Sequence, residues 1–219
     1  MRARAEKSGF SPTSAFLRAR RAWVPLIIAA VAGAVAAWAG HRAAAVPSVA
    51  DNATLPLWRL LTMGVGILPA LGLHSHLGSL EAMGTTVHRR AERRYLTAMV
   101  AAVHATFLGI AAAGLPFDVL AIAVRSIPGW LGLALLSGRT WGWRSAWILP
   151  VVTMCGLTFW GGGDGPADFS WWEFSARSHD DPRTLLLSAA LGLSGSAAYA
   201  VTPWRLRRLR TAVSRWHRT

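Results

Sequence analysis

Residues 23–40, WVPLIIAAVAGAVAAWAG, decide the fold class, because they form a run of eighteen residues without a charge. A membrane-spanning helix needs about 20 mostly apolar residues to cross a hydrocarbon core of about 30 Å. The whole chain has the same character, with 53% hydrophobic and 15% charged residues, against about 25% charged in an ordinary soluble domain. The apolar content excludes a disordered chain, and the single cysteine, Cys155, excludes a disulfide scaffold. We therefore expect an integral membrane protein.

Six apolar segments follow one another, with too little chain between them for a folded soluble domain. They lie at about 23–40, 56–76, 95–114, 117–137, 145–160 and 182–204. The sequence thus predicts an all-α, polytopic membrane protein with six transmembrane helices. Its parts are a basic leader or interfacial helix (1–22), a six-span transmembrane domain (23–204) and a basic tail (205–219).

Local signals refine these segments. Pro69 and Pro150 fall inside two of them and predict kinks, because proline removes a backbone hydrogen bond. Asp181 followed by Pro182 predicts a helix N-cap and a first helical residue. Seven tryptophans fall near the predicted membrane boundaries, where indole rings are favoured: Trp23, Trp38, Trp58, Trp141, Trp143, Trp160 and Trp204.

The distribution of arginine predicts the orientation. Basic residues concentrate in the leader, in the loops after the second and fourth segments and in the tail, while the alternate loops hold few. Because basic loops stay in the cytoplasm, both termini are expected there. A pI near 11.8 would favour nucleic acid in a soluble protein. Here topology and contact with anionic lipid, worth about 1 kcal/mol per juxtamembrane arginine, explain the charge, and no nucleic-acid partner is expected.

The loop between the second and third segments carries a charged pattern. It contains Glu81, then Gly84-Thr85, then Arg89-Arg90. Together with six spans, internal termini and a basic helix-like leader, this order resembles the permease subunit of type-2 ABC exporters, in which the equivalent loop is a coupling helix that docks on the ATPase. The resemblance implies a coupling role for the whole charged set: Glu81, Gly84, Thr85, Arg89, Arg90, Glu92, Arg93 and Arg94.

The loop before the last segment adds to this resemblance, since the family carries short external helices there. Ser170 and Glu173 have the spacing of a capping box, which predicts such a helix, with Trp171, Trp172 and Phe174 able to lie on the membrane. The arginine-rich, lysine-poor composition also resembles that of actinobacterial proteins, which implies a bacterial plasma membrane.

The same resemblance implies the partners. These are a cytoplasmic ABC ATPase that binds Mg-ATP, and a second copy of this chain or a different permease subunit. The exported substrate would be hydrophobic or amphipathic: a peptide, a lipid or an antibiotic. The chain itself lacks a phosphate-binding loop, because its only lysine, Lys7, follows no glycine pattern. We therefore expect no enzymatic activity and no cofactor in this chain. The alternative is a non-transporting membrane anchor or scaffold.

The stretch Gly192-Leu193-Ser194-Gly195 resembles the serine motif of rhomboid proteases. A serine nucleophile needs a base within reach, and the only later histidine is His217 in the tail. Spacing favours a packing role instead, since three small residues recur every fourth position: Ser188, Gly192 and Ser196.

Arg125 is the most informative single residue. An arginine near mid-membrane costs about 2.5–3.5 kcal/mol on insertion scales and usually faces the bundle, a cavity or another subunit. We expect an internal hydrogen-bonding role, for instance to carbonyls freed by Pro128, with substrate contact as the alternative. His74 and His76 are two apart, so they do not share a helix face, and no metal site is expected.

Overall fold

The structure is a computed structural model that describes residues 22–49, 51–74, 86–160 and 169–201. The predicted leader helix and basic tail lie outside these residues. So do three members of the predicted coupling set: Glu81, Gly84 and Thr85.

Six α-helices make up most of the described chain. They are α1 (Trp23–Ala39), α2 (Leu57–Leu71), α3 (Thr86–Ala111), α4 (Phe117–Trp141), α5 (Ile148–Trp160) and α6 (Pro182–Ala200). Each covers most of one predicted apolar segment, so the expectation of a mainly helical chain is confirmed. The predicted cap is also present, because the Asp181 side chain accepts a hydrogen bond of 2.9 Å from the Arg183 N–H, with Pro182 in the first turn.

A short antiparallel β-hairpin connects α1 to α2, and it was not predicted. Its strands are β1 (Ala43–Ser48) and β2 (Asp51–Pro56), with Ala43 opposite Pro56. The Val49 N–H donates to the Phe159 carbonyl at 3.0 Å, which ties the hairpin to the end of α5. Alanine-rich sequence has low strand propensity, so this hairpin depends on the elements around it rather than on a local signal.

The helices alternate in direction, so their connections collect at two ends of the bundle. At one end the Arg139 guanidinium, near the end of α4, donates to the Val201 carbonyl that follows α6, at 3.0 Å. At the other end the close approach of Gly114 to Ala37 brings the α3–α4 turn to the end of α1. We call the first the basic end (22–23, 71–74, 86–94, 139–148 and 200–201) and the second the hairpin end (38–49, 51–57, 112–118, 160 and 169–182).

The helices pack in two groups. α1 packs against α3, α4 packs most extensively against α6, and α2 lies between them with contacts to α1, α3 and α4. The α4–α6 contact is very close at Gly132, where a Cβ would overlap the Leu191 carbonyl, and at Gly195, where it would overlap the Gly132 carbonyl.

Helix length limits what the structure establishes about membrane crossing. Among the described residues, Arg90–Ala111 and Phe117–Trp141 are long and apolar enough to cross a membrane. Helices α1 and α2 are apolar but have 17 and 15 residues. Helix α5 has 13 residues, about 20 Å at 1.5 Å each, because a 3-10 turn at Trp143–Ser145 precedes it. The six-span topology therefore stays a prediction.

The two predicted proline kinks have different outcomes. Pro69 lies inside α2, as expected. Pro150 lies in the first turn of α5, where a missing N–H removes no helical hydrogen bond, so the kink predicted there was wrong. The reason is that Gly142, with a φ of 95°, ends the preceding helix and delays the start of α5.

Candidate functional site

A folded segment at the hairpin end, residues 169–181, leads into α6 and lies against the bundle; we call it the strap. The short helix expected from the capping-box spacing is absent from it, and the Glu173 N–H donates to the Ser170 carbonyl in a turn at 2.9 Å. The Glu173 carboxylate does not cap the backbone, because it points inward to a buried cation. Trp171 and Trp172 are exposed, whereas Phe174 is buried against Trp130, with ring centroids 4.8 Å apart.

Arg59, in the first turn of α2, holds the strap through a buried ion pair. Its Nη2 lies 2.5 Å from Glu173 Oε1 and donates to Ser175 Oγ at 2.9 Å. The Ser175 hydroxyl in turn donates to the same carboxylate oxygen at 2.9 Å. The side chains of Arg59 and Glu173 are 2% and 0% exposed. Such a pair depends on both partners, since removing one leaves an uncompensated buried charge.

The ion pair leaves some hydrogen-bonding capacity unused. Glu173 Oε2 and Arg59 Nε are buried without a hydrogen-bond partner among the described residues. Burial raises the pKa of the Glu173 carboxyl above its ordinary value, although the Arg59 cation and the Ser175 hydroxyl both act to lower it. The cost of desolvation therefore exceeds the stabilisation that the partners provide.

Arg125, in the first half of α4, holds the same strap by its backbone. Its guanidinium donates to the carbonyls of Ser178 at 2.5 Å, Arg177 at 2.7 Å and Phe174 at 3.3 Å. The residue is buried, as expected for an internal hydrogen-bonding role. Its acceptors, however, are strap carbonyls, which lie about 50 residues further along the chain, and not the carbonyls freed by Pro128.

The turn of α4 around Pro128 is completed by α6 instead. The Ser188 hydroxyl donates to the Arg125 carbonyl at 2.6 Å and accepts from the Gly129 N–H at 3.0 Å. These two backbone groups would bond to each other in a regular helix. A Cβ at Gly129 would approach both Ser188 and Phe174 closely, so glycine makes room for α6 and the strap together.

The small residues predicted to pack α6 are placed unequally. Ser188 is buried in the bridge just described. Gly192 packs closely on Pro128, because a Cβ added at Gly192 would lie 3.0 Å from both the Cβ and the carbonyl oxygen of Pro128. Ser196 is exposed, and Gly195 occupies the contact in its place. Helical periodicity of 3.6 explains the difference, because positions 188, 192 and 195 share a face while strict fourfold spacing drifts away from it.

The described part of the predicted coupling set lies at the basic end, at the start of α3. Thr86–Ala111 is one continuous helix that includes Arg89, so this segment is not a separate short helix. Glu92 is half-buried here, and three arginines are exposed: Arg90, Arg93 and Arg94. Buried residues begin one turn later at Tyr95, Leu96 and Met99. The charged turns thus extend directly from the packed part of the helix.

Aromatic side chains are exposed at both ends of the bundle. Trp23, Trp141 and Trp147 are exposed at the basic end, and Trp38, Trp160, Trp171 and Trp172 at the hairpin end. Between them the exposed surface of α1, α5 and α6 carries aliphatic side chains: Ile27, Ile28, Val31, Val152, Leu185, Leu186 and Leu193. Of the other predicted boundary tryptophans, Trp58 is buried, Trp143 is half-buried and Trp204 lies outside the described residues.

The remaining candidates lie on α6, on α5 and outside the described residues. Ser194 is exposed, and its hydroxyl donates to the Leu191 carbonyl of its own helix at 2.8 Å. No group of three metal-binding side chains occurs in the described part of the chain. Cys155 is exposed on α5, and His76 and His217 lie outside the described ranges.

Comparison of the chain with protein families, with curated proteins and with solved structures returns no match. The functional argument therefore rests on the residues themselves. Sequence analysis did not single out Arg59, Glu173 or Ser175 as a cluster. A signal was present, because Arg59 is a charge inside an apolar segment and needs an acidic partner on the same side.

Proposed function

We propose that this chain is a multi-pass membrane protein with both termini in the cytoplasm, and that it is the permease-like subunit of a bacterial ABC transporter. A separate cytoplasmic ATPase would supply the energy. The resemblance to type-2 ABC exporters supports this proposal, and two features of the described structure support its parts.

The membrane part of the proposal rests on the surface of the bundle. Exposed tryptophans at both ends with aliphatic side chains between them are typical of a protein whose middle faces hydrocarbon and whose ends face the interfaces. The charges have matching asymmetry. The basic end carries six arginines against one acid, Glu92: Arg89, Arg90, Arg93, Arg94, Arg139 and Arg144. The described hairpin end carries five acids against two arginines, Arg42 and Arg177: Asp51, Asp118, Glu173, Asp180 and Asp181. This asymmetry supports a cytoplasmic basic end, with the strap on the opposite side.

The ATPase part of the proposal rests on α3, and this is the observation that carries the function. The exposed charges of residues 90–94 continue without a break into the buried face at Tyr95 and Met99. A partner bound at these charges would therefore move the packed part of the helix as a rigid body. An interaction at a flexible loop would not transmit motion in this way.

The proposed assembly follows from the same reasoning. A chain without a nucleotide-binding motif needs an ATPase, and a second permease copy or a different permease subunit would complete the transport path. The resemblance to type-2 ABC exporters supports a hydrophobic or amphipathic substrate, exported as a peptide, a lipid or an antibiotic. Exposed arginines at the basic end would also contact anionic lipid.

Charge reversal at Glu92 tests the coupling role, because acidic residues contribute little to membrane orientation. The full chain is expressed with the ABC ATPase that co-purifies with it from native membranes, and binding and ATP hydrolysis are measured. Removing one partner of a desolvated charge pair at an interface costs about 2–5 kcal/mol of binding free energy. We therefore expect Glu92→Lys to weaken ATPase binding at least about 30-fold while membrane insertion is unchanged.

Asp118→Lys is the matched control, since Asp118 is an exposed acid at the hairpin end and should leave ATPase binding unchanged. A reversal of the contacting charge on the ATPase should restore binding to the Glu92→Lys chain. Two results contradict the proposal: no ABC ATPase accompanies the wild-type chain, or both variants bind it equally well. A stable partner without ATP turnover would instead favour the anchor or scaffold function.

A further inference from the structure

The six helices form two halves that meet along one seam. One half is α1–α3, and the other is α4–α6 with the strap. Contact between the halves runs mainly along α2 and α4, with the β-hairpin beside it against α5. Direct contact between α3 and α4 is slight. Separation along the seam would keep the close α1–α3 and α4–α6 contacts, but it would part the α2–α4 contact, the third most extensive helix pair among the described residues.

One face of α2 lines this seam. Arg59, Thr62 and Gly66 follow helical spacing, and a Cβ at Gly66 would lie 2.8 Å from the Trp130 Cβ of α4. Thr62 lies between this close contact and Arg59, and it is 1% exposed. Among the described residues, its hydroxyl donates within its own helix, to the Trp58 carbonyl at 2.8 Å. The inside of the seam is thus covered at the hairpin end by the Arg59 side chain and the strap.

The strap belongs to the second half. Arg125 of α4 holds three of its carbonyls, and its Phe174 ring lies on Trp130 of the same helix. Arg59 is on the first half, so the pair formed by Arg59 and Glu173 crosses the seam. The two side chains lie 114 residues apart in sequence.

We propose that the Arg59–Glu173 pair is a latch that closes the hairpin end of the seam, and that its release lets α2 separate from α4. The latch acts from the strap, which Arg125 keeps fixed on the second half. Its opening exposes the Thr62 face of α2 to the hairpin side. The latch is a property of this chain alone and does not require a partner ATPase.

Thiol labelling at position 62 tests the latch in the full chain. The background carries Cys155→Ser and Thr62→Cys, and the purified protein reacts with a small maleimide at mildly alkaline pH. Arg59→Met leaves the Glu173 carboxylate buried without its cation, so the seam should open more often and labelling should accelerate about tenfold. Adding Glu173→Gln removes the unpaired charge but does not restore the latch, so labelling should stay above the original rate, and a return to that rate would overturn the latch.

Ala36→Cys is the matched control, because Ala36 is fully buried in α1, away from the seam. Its labelling should not change with Arg59→Met. Equal labelling at position 62 with and without Arg59, or an equal rise at both positions, would overturn the latch. If Arg59→Met does not accumulate, Ser175→Ala takes its place, since it removes both hydrogen bonds that the serine makes with the pair. A smaller rise confined to position 62 then supports the latch, and no rise overturns it. These rates are independent of whether an ATPase binds at the basic end.

Discussion

At the scale of single residues, a buried carboxylate and two buried arginines hold the strap in place. The carboxylate has a raised pKa because of its burial. A raised pKa means that the folded state binds the proton more tightly than the unfolded state does. This contribution to stability is therefore full below the ordinary glutamate value and is lost as pH rises through the raised value.

A pH titration of stability tests this assignment. The wild-type chain should lose stability, relative to Glu173→Gln, as pH rises from the ordinary glutamate value upward, because the amide cannot ionise. Thermal unfolding in detergent, measured across this range for both proteins, gives the difference. A constant difference between the two proteins at all pH values would show that Glu173 does not titrate with a raised pKa.

Arg125 provides a second prediction at this scale. Arg125→Leu leaves three strap carbonyls without their donor, and hydrogen bonds to charged groups are worth about 1.5–3 kcal/mol each. We expect a loss of at least about 3 kcal/mol in the free energy of unfolding, seen by thermal or denaturant unfolding. Arg125→Lys, which keeps the charge but not the forked donors, should lose less. An unchanged stability of the leucine variant would mean that these bonds are not formed.

The residue scale is also where sequence reasoning was least complete. Arg125 was identified because an arginine in an apolar segment is costly to insert into a membrane, and the same insertion cost predicted that this arginine forms internal hydrogen bonds. Its acceptors and the Arg59–Glu173 pair could not be found, because no local pattern connects residues 114 positions apart. Glu173 was instead assigned to a capping box, since the three-residue spacing from Ser170 does not reveal which way the glutamate side chain points.

At the scale of elements, the positions of the helices were predictable because long apolar runs give a strong signal. The β-hairpin and the length of α5 were not. The hairpin lacks a propensity signal, and α5 is shortened by a 3-10 turn after Gly142. The α4–α6 contact shows the same limit, since spacing suggested Ser196 where the helix presents Gly195.

The closeness of α4 to α6 gives a prediction with an internal control. Gly132→Ala would force the Leu191 backbone away, and overpacking of this kind costs about 1–3 kcal/mol. Gly109→Ala, in α3 with no neighbour within 4 Å of the new Cβ, should be neutral or gain up to about 1 kcal/mol from helix propensity. Unfolding midpoints of the two variants in the same detergent should move in opposite directions. Equal effects would contradict the close contact.

At the scale of the whole molecule, the separation of charge between the two ends predicts orientation in the membrane. In a Cys155→Ser background, Asp118→Cys should react with an impermeant maleimide added to intact cells. Arg90→Cys and Arg144→Cys should react only after the cells are opened. All three positions are exposed. Labelling of Arg144→Cys from outside, with none at Asp118→Cys, would reverse the proposed topology.

The serine bridge between α4 and α6 has a consequence for biogenesis. A ribosome releases the chain from its N-terminus, so α4 reaches the membrane before Ser188 has been synthesised. The turn between Arg125 and Gly129 lacks its bridging hydroxyl until some 60 further residues have emerged. Nascent chains arrested before α6 should therefore retain an unfinished α4 that is open to proteases and chaperones. Translation of α6 is therefore the step that completes α4.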